Sequence, residues 1–213
     1  MARPRKEDAL DIAHRAVEQT IRLLEEDGIA GLSMAKVAAA VGCSAPALYN
    51  HFRNKEDLLR AAHDAGFERL YATKLAVARD AAGDPLARLR LGGRAYLDFA
   101  LENPALYALM FSPDAAAGLR DNPFQGDLGR KSLDHLTAAV AACQRAGHLP
   151  GQEAQTVAFT LWSTVHGAAS LMLQNRAPAS ATDRDRLADA LVDTVMAMIA
   201  ASPPPPPQSD PES

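Results

Sequence analysis

The sequence is poor in cysteine and in aromatic residues. Its 213 residues include two cysteines, Cys43 and Cys143, and only 5% are Phe, Trp or Tyr. The cysteines are far apart and lack the spacing of a zinc site. We expect both to be small hydrophobic residues of a reducing compartment and not a structural disulfide, with a redox-sensing thiol as the alternative.

Long apolar runs are also missing. No run approaches the roughly 18 residues that a membrane span needs. The basic residues Arg3, Arg5 and Lys6 are not followed by the apolar segment of a signal peptide. We therefore expect a cytoplasmic protein with no membrane partner.

Signatures of catalysis and of metal binding are absent from the sequence. We find no glycine-rich phosphate loop, no Ser/His/Asp signature and no metal-ligand spacing among the six histidines. The prediction is no catalytic residue, no metal site and no cofactor. An enzyme is the remaining alternative. A catalytic turnover that His166→Ala abolishes would support it.

The charge is slightly acidic, with a net charge of −4 and a pI of about 5.8. Proteins that coat nucleic acid without specificity are usually basic. A specific DNA-binding protein needs only a local basic or polar patch. The acidic net charge therefore argues against non-specific coating of nucleic acid and is compatible with specific DNA binding.

The residues that are abundant, Ala and Leu, favour helices. We predict an all-α protein of about nine helices. The predicted segments are a first helix that stops at Gly28, then 34–41, 45–52, 55–79, 86–101, 104–111, 128–146, 152–174 and 183–201. Residues 112–126 are predicted to be mostly loop and 202–213, with five consecutive prolines, a disordered tail. Glu25, Glu26 and Asp27 lie at the end of the first helix, where their charge is unfavourable for the helix dipole.

One stretch, Leu32–Leu59 (LSMAKVAAAVGCSAPALYNHFRNKEDLL), has the pattern of two short helices joined by a tight turn. Ser33, Ser44 and Asn54 are good N-caps, and Gly42 suits a turn with positive φ. This order of caps, helices and turn predicts a helix-turn-helix, whose second helix enters the major groove of DNA. A solvated helix pair in an ordinary bundle is the alternative.

The predicted recognition helix presents polar and small residues to DNA. Asn50 can pair with adenine, and Ala or Pro can touch a thymine methyl group. Phosphate contacts need donors at the groove edges. The full set of predicted DNA-binding residues is Ser33, Lys36, Ser44, Ala45, Pro46, Ala47, Tyr49, Asn50, His51 and Lys55.

Residues 8–70 resemble the TetR family of bacterial transcriptional regulators. The resemblance is carried by EEDG at 25–28, LSMAKVAAAVGCS at 32–44 and APALYNHFRNKEDLL at 45–59. It implies an all-α homodimer with a three-helix DNA-binding domain (7–53) and a regulatory and dimerisation domain (54–201). It also implies phosphate contacts from Tyr49, His51 and Lys55. The family usually has Val or Ile where Cys43 stands.

The C-terminal half carries a weaker resemblance, to the WHG-type C-terminal domain of TetR-like proteins. It rests on AYLDFALENPALYALMF (95–111) and LWSTVHGAASLML (161–173). The implied ligand-lining residues are Phe99, Tyr107, Met110, Phe111, Trp162 and His166. Each of them can equally pack in a core.

The last two helices are strongly apolar and suit a dimer interface. We therefore expect a homodimeric repressor that leaves double-stranded operator DNA when a small-molecule effector binds. A ligand-independent regulator with a filled C-terminal core is the alternative.

Overall fold

The computed structural model describes residues 6–81, 83–111, 127–178 and 183–201. Over these ranges the regular structure is helical, which confirms the all-α prediction. The described residues form nine helices: α1 (Lys6–Gly31), α2 (Met34–Val41), α3 (Ala45–Tyr49), α4 (Lys55–Asp80), α5 (Pro85–Glu102), α6 (Pro104–Phe111), α7 (Asp127–Arg145), α8 (Ala154–Leu173) and α9 (Arg184–Ala200). The predicted loop 112–126 and tail 202–213 lie outside the described residues.

The recognition helix α3 is shorter than predicted. It ends at Tyr49 and not near Phe52, and Asn50 is its C-cap. The carbonyl of Leu48 accepts hydrogen bonds from the amides of both His51 and Phe52, at 3.0 and 3.1 Å. This shared acceptor closes the helix in a turn, so Asn50 and His51 lie at its end.

Gly28 interrupts α1 as predicted. Its backbone angles, φ 68° and ψ 178°, are not helical. The three acidic residues just before it all have partners. Glu26 pairs with Arg22 at 3.6 Å and Asp27 with Lys36 at 3.3 Å.

Glu25 has a different partner, the start of α6. Its carboxylate accepts hydrogen bonds from the amides of Ala105 and Leu106, at 3.1 and 2.9 Å. Amides in the first turn of a helix have no partner within the helix, and the helix dipole favours a negative charge there. The charge that is unfavourable for α1 is therefore favourable for α6.

By packing, the chain divides into two compact units. The first contains Met1–Tyr71 and Glu102–Gly129, and the second contains Ala72–Leu101 and Arg130–Ser213. The helix-turn-helix thus shares a unit with the first part of α4 and with α6. The predicted domains, 7–53 and 54–201, follow the order of the chain and place α6 elsewhere.

The core of the first unit is apolar and includes aromatic contacts near its α6 helix. The rings of Phe67 and Phe111 lie 5.3 Å apart, and those of Tyr107 and Phe111 4.8 Å apart. A Cβ on Gly66 would lie 2.7 Å from the sulfur of Met110, so glycine permits close approach of α4 and α6. Tyr107, Met110 and Phe111 are thus packing residues of this unit.

The second unit has its own core, built around Leu89, Val140, Cys143, Ala158 and Ile199. Cys143 is fully buried, and burial raises the pKa of its thiol. A raised pKa keeps the thiol protonated and unreactive. This fits the prediction of a small hydrophobic role for Cys143, whereas Cys43 is only half-buried.

Candidate DNA interface and ligand cavity

Side-chain caps define the helix-turn-helix. The Ser33 hydroxyl oxygen accepts from the amide of Lys36 at 3.2 Å, and that of Ser44 accepts from the amide of Ala47 at 3.3 Å. Between them Gly42 has φ 74°, a left-handed conformation that costs glycine little. The predicted caps and turn residue are confirmed.

Buried apolar side chains pack α3 against α2. Val37 and Leu48 are fully buried, Val41 is 1% exposed, and Phe52 is nearly buried. The guanidinium of Arg15 in α1 donates to the carbonyl of Val41, at the end of α2. The three helices therefore present the outer face of α3 as a rigid surface.

Most predicted DNA-binding residues lie on that outer surface. Tyr49 is 50% exposed. Ala45, Pro46 and Asn50 are also exposed, whereas Ala47 and His51 are half-buried. Ser33 and Ser44 are exposed, and each uses an oxygen lone pair as cap acceptor, which leaves its O–H group as a donor.

The two predicted lysines already have intramolecular partners. The Nζ atom of Lys36 lies 3.3 Å from Asp27, and that of Lys55 donates to the carbonyl of Ile29 at 2.5 Å. In this arrangement Lys55 satisfies a carbonyl next to the Gly28 interruption. Their contact with phosphate stays a prediction.

One candidate was missed in the sequence. The side chain of Arg53 is 88% exposed directly after the turn that follows α3, and it pairs with Asp57 at 2.8 Å. Hydrogen bonding to Arg53 lowers the pKa of the Asp57 carboxyl. The signal was present, since Arg53 is a basic residue within the predicted motif.

The second unit encloses a cavity of about 80 Å³. Side chains of α4, α5, α7, α8 and α9 line it, and most are apolar, among them Leu136, Val165, Val192 and Met196. Trp162, predicted to line a pocket, is part of the wall. A mostly apolar cavity with a few polar groups is typical of small-molecule sites.

The other predicted ligand-lining residues lie elsewhere. Tyr107, Met110 and Phe111 belong to the first unit. Phe99 is in the second unit and buried, but it is not part of this cavity wall. The structure therefore brings Trp162 and His166 together in the second unit, and the 107–111 group belongs to the first unit.

His166 lies behind the cavity wall. Its ring stacks on Trp162 at 4.8 Å, and its Nδ1 atom is 3.0 Å from the hydroxyl of Tyr96, which lines the cavity. Burial lowers the pKa of His166, which favours the neutral imidazole. This geometry lets His166 orient Trp162 and Tyr96.

An open apolar groove of about 660 Å³ runs along α8 and α9 in the same unit. Large apolar side chains of these helices are exposed, including Phe159 at 51% and Met198 at 66%. An exposed apolar patch of this kind marks an interaction surface.

Among the described residues, α8 is long and apolar enough to cross a membrane by length and composition. This corrects the expectation that no segment approaches that length. The segment was overlooked because Thr, Ser and Gln interrupt its apolar residues, yet it contains no Asp, Glu, Lys or Arg. Core helices of soluble proteins pass the same test, so a single helix of this kind is weak evidence for a membrane span.

A capped helix, a left-handed glycine turn and a second capped helix define a helix-turn-helix DNA-binding protein. Comparison with known families agrees. Residues 16–62 match the model described as bacterial regulatory proteins, tetR family, and residues 89–195 match the tetracyclin repressor-like C-terminal domain. The chain therefore belongs to the TetR family. This is a family of transcriptional regulators and not of enzymes.

Individual relatives fit this assignment. The chain is 29% identical over 90 residues to the HTH-type transcriptional regulator AcrR of Shigella flexneri, a match that covers 42% of each chain. It is 28% identical over 151 residues to the HTH-type regulator Rv0681 of Mycobacterium tuberculosis, covering 71% of this chain and 65% of the relative. The matches thus span less than two thirds of these curated relatives.

Solved structures share the fold. A protein of unknown function from Rhodococcus sp. RHA1 has a TM-score of 0.75 and 29% identity, covering 89% of this chain and 95% of its own. A TetR-family regulator from Pectobacterium atrosepticum has a TM-score of 0.73 and 20% identity, covering 94% and 100%. AibR, solved with isovaleryl coenzyme A and operator DNA, has a TM-score of 0.63 and 22% identity, covering 86% and 97%.

Proposed function

We propose that this protein is a cytoplasmic, homodimeric repressor that binds operator DNA and leaves it when a small molecule occupies the second unit. The observation that carries DNA binding is the rigid, exposed outer face of α3. The hydroxyl, amide and small side chains on this face can contact the phosphates and bases of DNA. Tyr49, Asn50 and Arg53 are the residues we assign first to DNA.

The proposed dimer forms through α8 and α9. Their exposed apolar side chains and open groove suit a four-helix interface between two copies. One five-residue recognition helix makes few contacts, and two of them give specificity when half-sites lie about 34 Å apart. This is also our explanation for the apolar composition of α8.

The proposed effector site is the cavity beside Trp162. An effector shifts DNA affinity only when it binds the DNA-competent and DNA-incompetent states differently. The AibR structure contains both an acyl-coenzyme A and operator DNA, which supports a joint ligand and DNA function in this fold. The cavity also counts against the alternative of a filled C-terminal core.

The DNA-binding proposal can be tested on a duplex enriched from a random pool with the full-length protein. Tyr49→Phe removes only a hydroxyl, so we expect weaker binding on all sequences with little change in the salt dependence of affinity, because a neutral hydroxyl neutralises no phosphate charge. Asn50→Ala is expected to relax base preference at one position. Fluorescence anisotropy at several salt concentrations measures both effects.

Tyr71→Phe is the matched control, because Tyr71 lies in α4, outside the helix-turn-helix, and it should leave affinity and salt dependence unchanged. Operator binding that is unaltered in both Tyr49→Phe and Asn50→Ala would show that another surface contacts DNA.

A further inference from the structure

The cavity wall contains three basic side chains in otherwise apolar surroundings. Lys74 comes from α4, Arg88 from α5 and His135 from α7. The hydrogen-bond and charge partners of these side chains indicate what this cavity binds.

Lys74 has no carboxylate at ion-pair distance among the residues that the structure describes. Its Nζ atom lies 5.7 Å from the centre of the Tyr96 ring. Burial lowers the pKa of Lys74 to about 8. The ammonium group is thus charged at neutral pH but poorly compensated.

Arg88 is also incompletely satisfied. Its Nε atom is buried and has no hydrogen-bond partner within the described part of the chain. A guanidinium stays charged at physiological pH and presents donors that match a carboxylate or a phosphate. A buried donor without an acceptor is costly, so its retention points to an absent partner.

His135 lines the same cavity as Lys74 and Arg88. Burial and the positive charges of Arg88 and Lys74 lower the pKa of His135. A neutral imidazole can still donate one hydrogen bond. Among the described residues, the wall therefore carries two positive charges, from Lys74 and Arg88, and no carboxylate.

We propose that this cavity binds an apolar molecule with one anionic group, a carboxylate or a phosphate. Arg88 and Lys74 pair with the anion, and the apolar wall around Val165 and Val192 holds the hydrocarbon part. The inference rests on the proposed function only in taking this ligand to be the effector. Binding of the ligand is measured on the protein without DNA.

Trp162 gives a direct measurement, because it is the single tryptophan of the chain and lines the cavity. The probes are sodium octanoate, octyl phosphate, 1-octanol and octylamine, titrated into the full-length protein at pH 7. We expect Trp162 fluorescence to report octanoate or octyl phosphate binding at least about tenfold tighter than octanol. Octylamine should bind most weakly, and the tighter of the two anions identifies the head group.

Two variants link the preference to the charges. Arg88→Gln and Lys74→Met should each weaken binding of the preferred anion by about tenfold or more and leave octanol affinity unchanged. Arg145→Gln and Lys131→Met, on the exposed surface of α7, are matched controls and should change neither. If one cavity variant does not fold, the other still decides.

The inference is overturned if neither anion binds more tightly than octanol, or if folded Arg88→Gln or Lys74→Met proteins keep the anion preference. Operator release is measured separately by anisotropy with the same probes. Anion binding that requires Arg88 and Lys74 but leaves operator affinity unchanged supports the inference and refutes only the effector role.

Discussion

At the residue scale, Lys74 is held at a cost that its described contacts do not offset. An ammonium group in apolar surroundings loses hydration, and within the described part of the chain Lys74 gains a distant ring face and no carboxylate in return. Residues that weaken a fold without a structural partner are concentrated at functional sites. Stability and ligand affinity should therefore respond in opposite directions when this charge is removed.

We expect Lys74→Met to raise the melting temperature of the ligand-free protein by about 2 °C or more, because a half-buried charge is removed and an unbranched apolar side chain is kept. Thermal unfolding at pH 7 measures this. Lys131→Met, at an exposed position, should stay within about 1 °C of the wild type. A destabilised Lys74→Met protein would assign Lys74 a structural role instead.

Anion binding in the cavity should weaken as the pH rises. In the free protein the pKa of Lys74 is lowered from 10.5 to about 8, so the ammonium group loses its proton as pH rises through 8. An anion prefers the protonated form, and octanoate affinity should therefore fall between pH 7 and 10.

The other charged or titratable groups on the cavity wall are Arg88, Tyr96 and His135. The lowered pKa of His135 makes it neutral over this range, and it should not contribute. The dependence should accordingly disappear in Lys74→Met. If octanoate affinity still falls with rising pH in Lys74→Met, another group is responsible for the titration. Titration of Trp162 fluorescence at several pH values measures it.

At the scale of single helices, sequence patterns predict most of the fold. Caps and glycines act over a few residues, so Ser33, Gly42, Ser44 and Asn54 define the helix-turn-helix without knowledge of the rest. The end of α3 was harder to predict from the sequence, because it depends on two amides that share the carbonyl of Leu48 in the folded structure. The partners of Glu25 were harder still to predict from the sequence, since they lie about 80 positions away along the chain.

The Glu25 interaction predicts a measurable contribution to stability. Removing an N-terminal capping side chain costs roughly 1 kcal/mol. Glu25→Ala should therefore lower the free energy of unfolding in urea by about this amount. Glu26→Ala, which removes only an exposed pair with Arg22, should cost far less. Equal losses in the two variants would mean that the contact with α6 adds nothing.

At the scale of the whole molecule, the sequence is least informative about the cavity. Its wall combines five helices from distant parts of the chain, and local patterns do not indicate which apolar residues meet. The group at 99–111 looked suitable for a pocket, yet Tyr107 and Met110 pack in the first unit. Lys74, Arg88 and His135 lacked any motif and were not predicted.

The proposed assembly can be tested by placing charge on its apolar surface. Phe159→Glu and Met198→Glu put a carboxylate where the second copy is expected, at positions 51% and 66% exposed in the single chain. A buried unpaired charge is strongly unfavourable, so both variants should sediment as monomers with unchanged helical content. Leu91→Glu, at a position 37% exposed on α5, is the control and should remain dimeric. Because two recognition helices are needed for both half-sites, the monomers should bind operator at least about a hundredfold more weakly. Dimers that persist in both variants would place the interface on another surface.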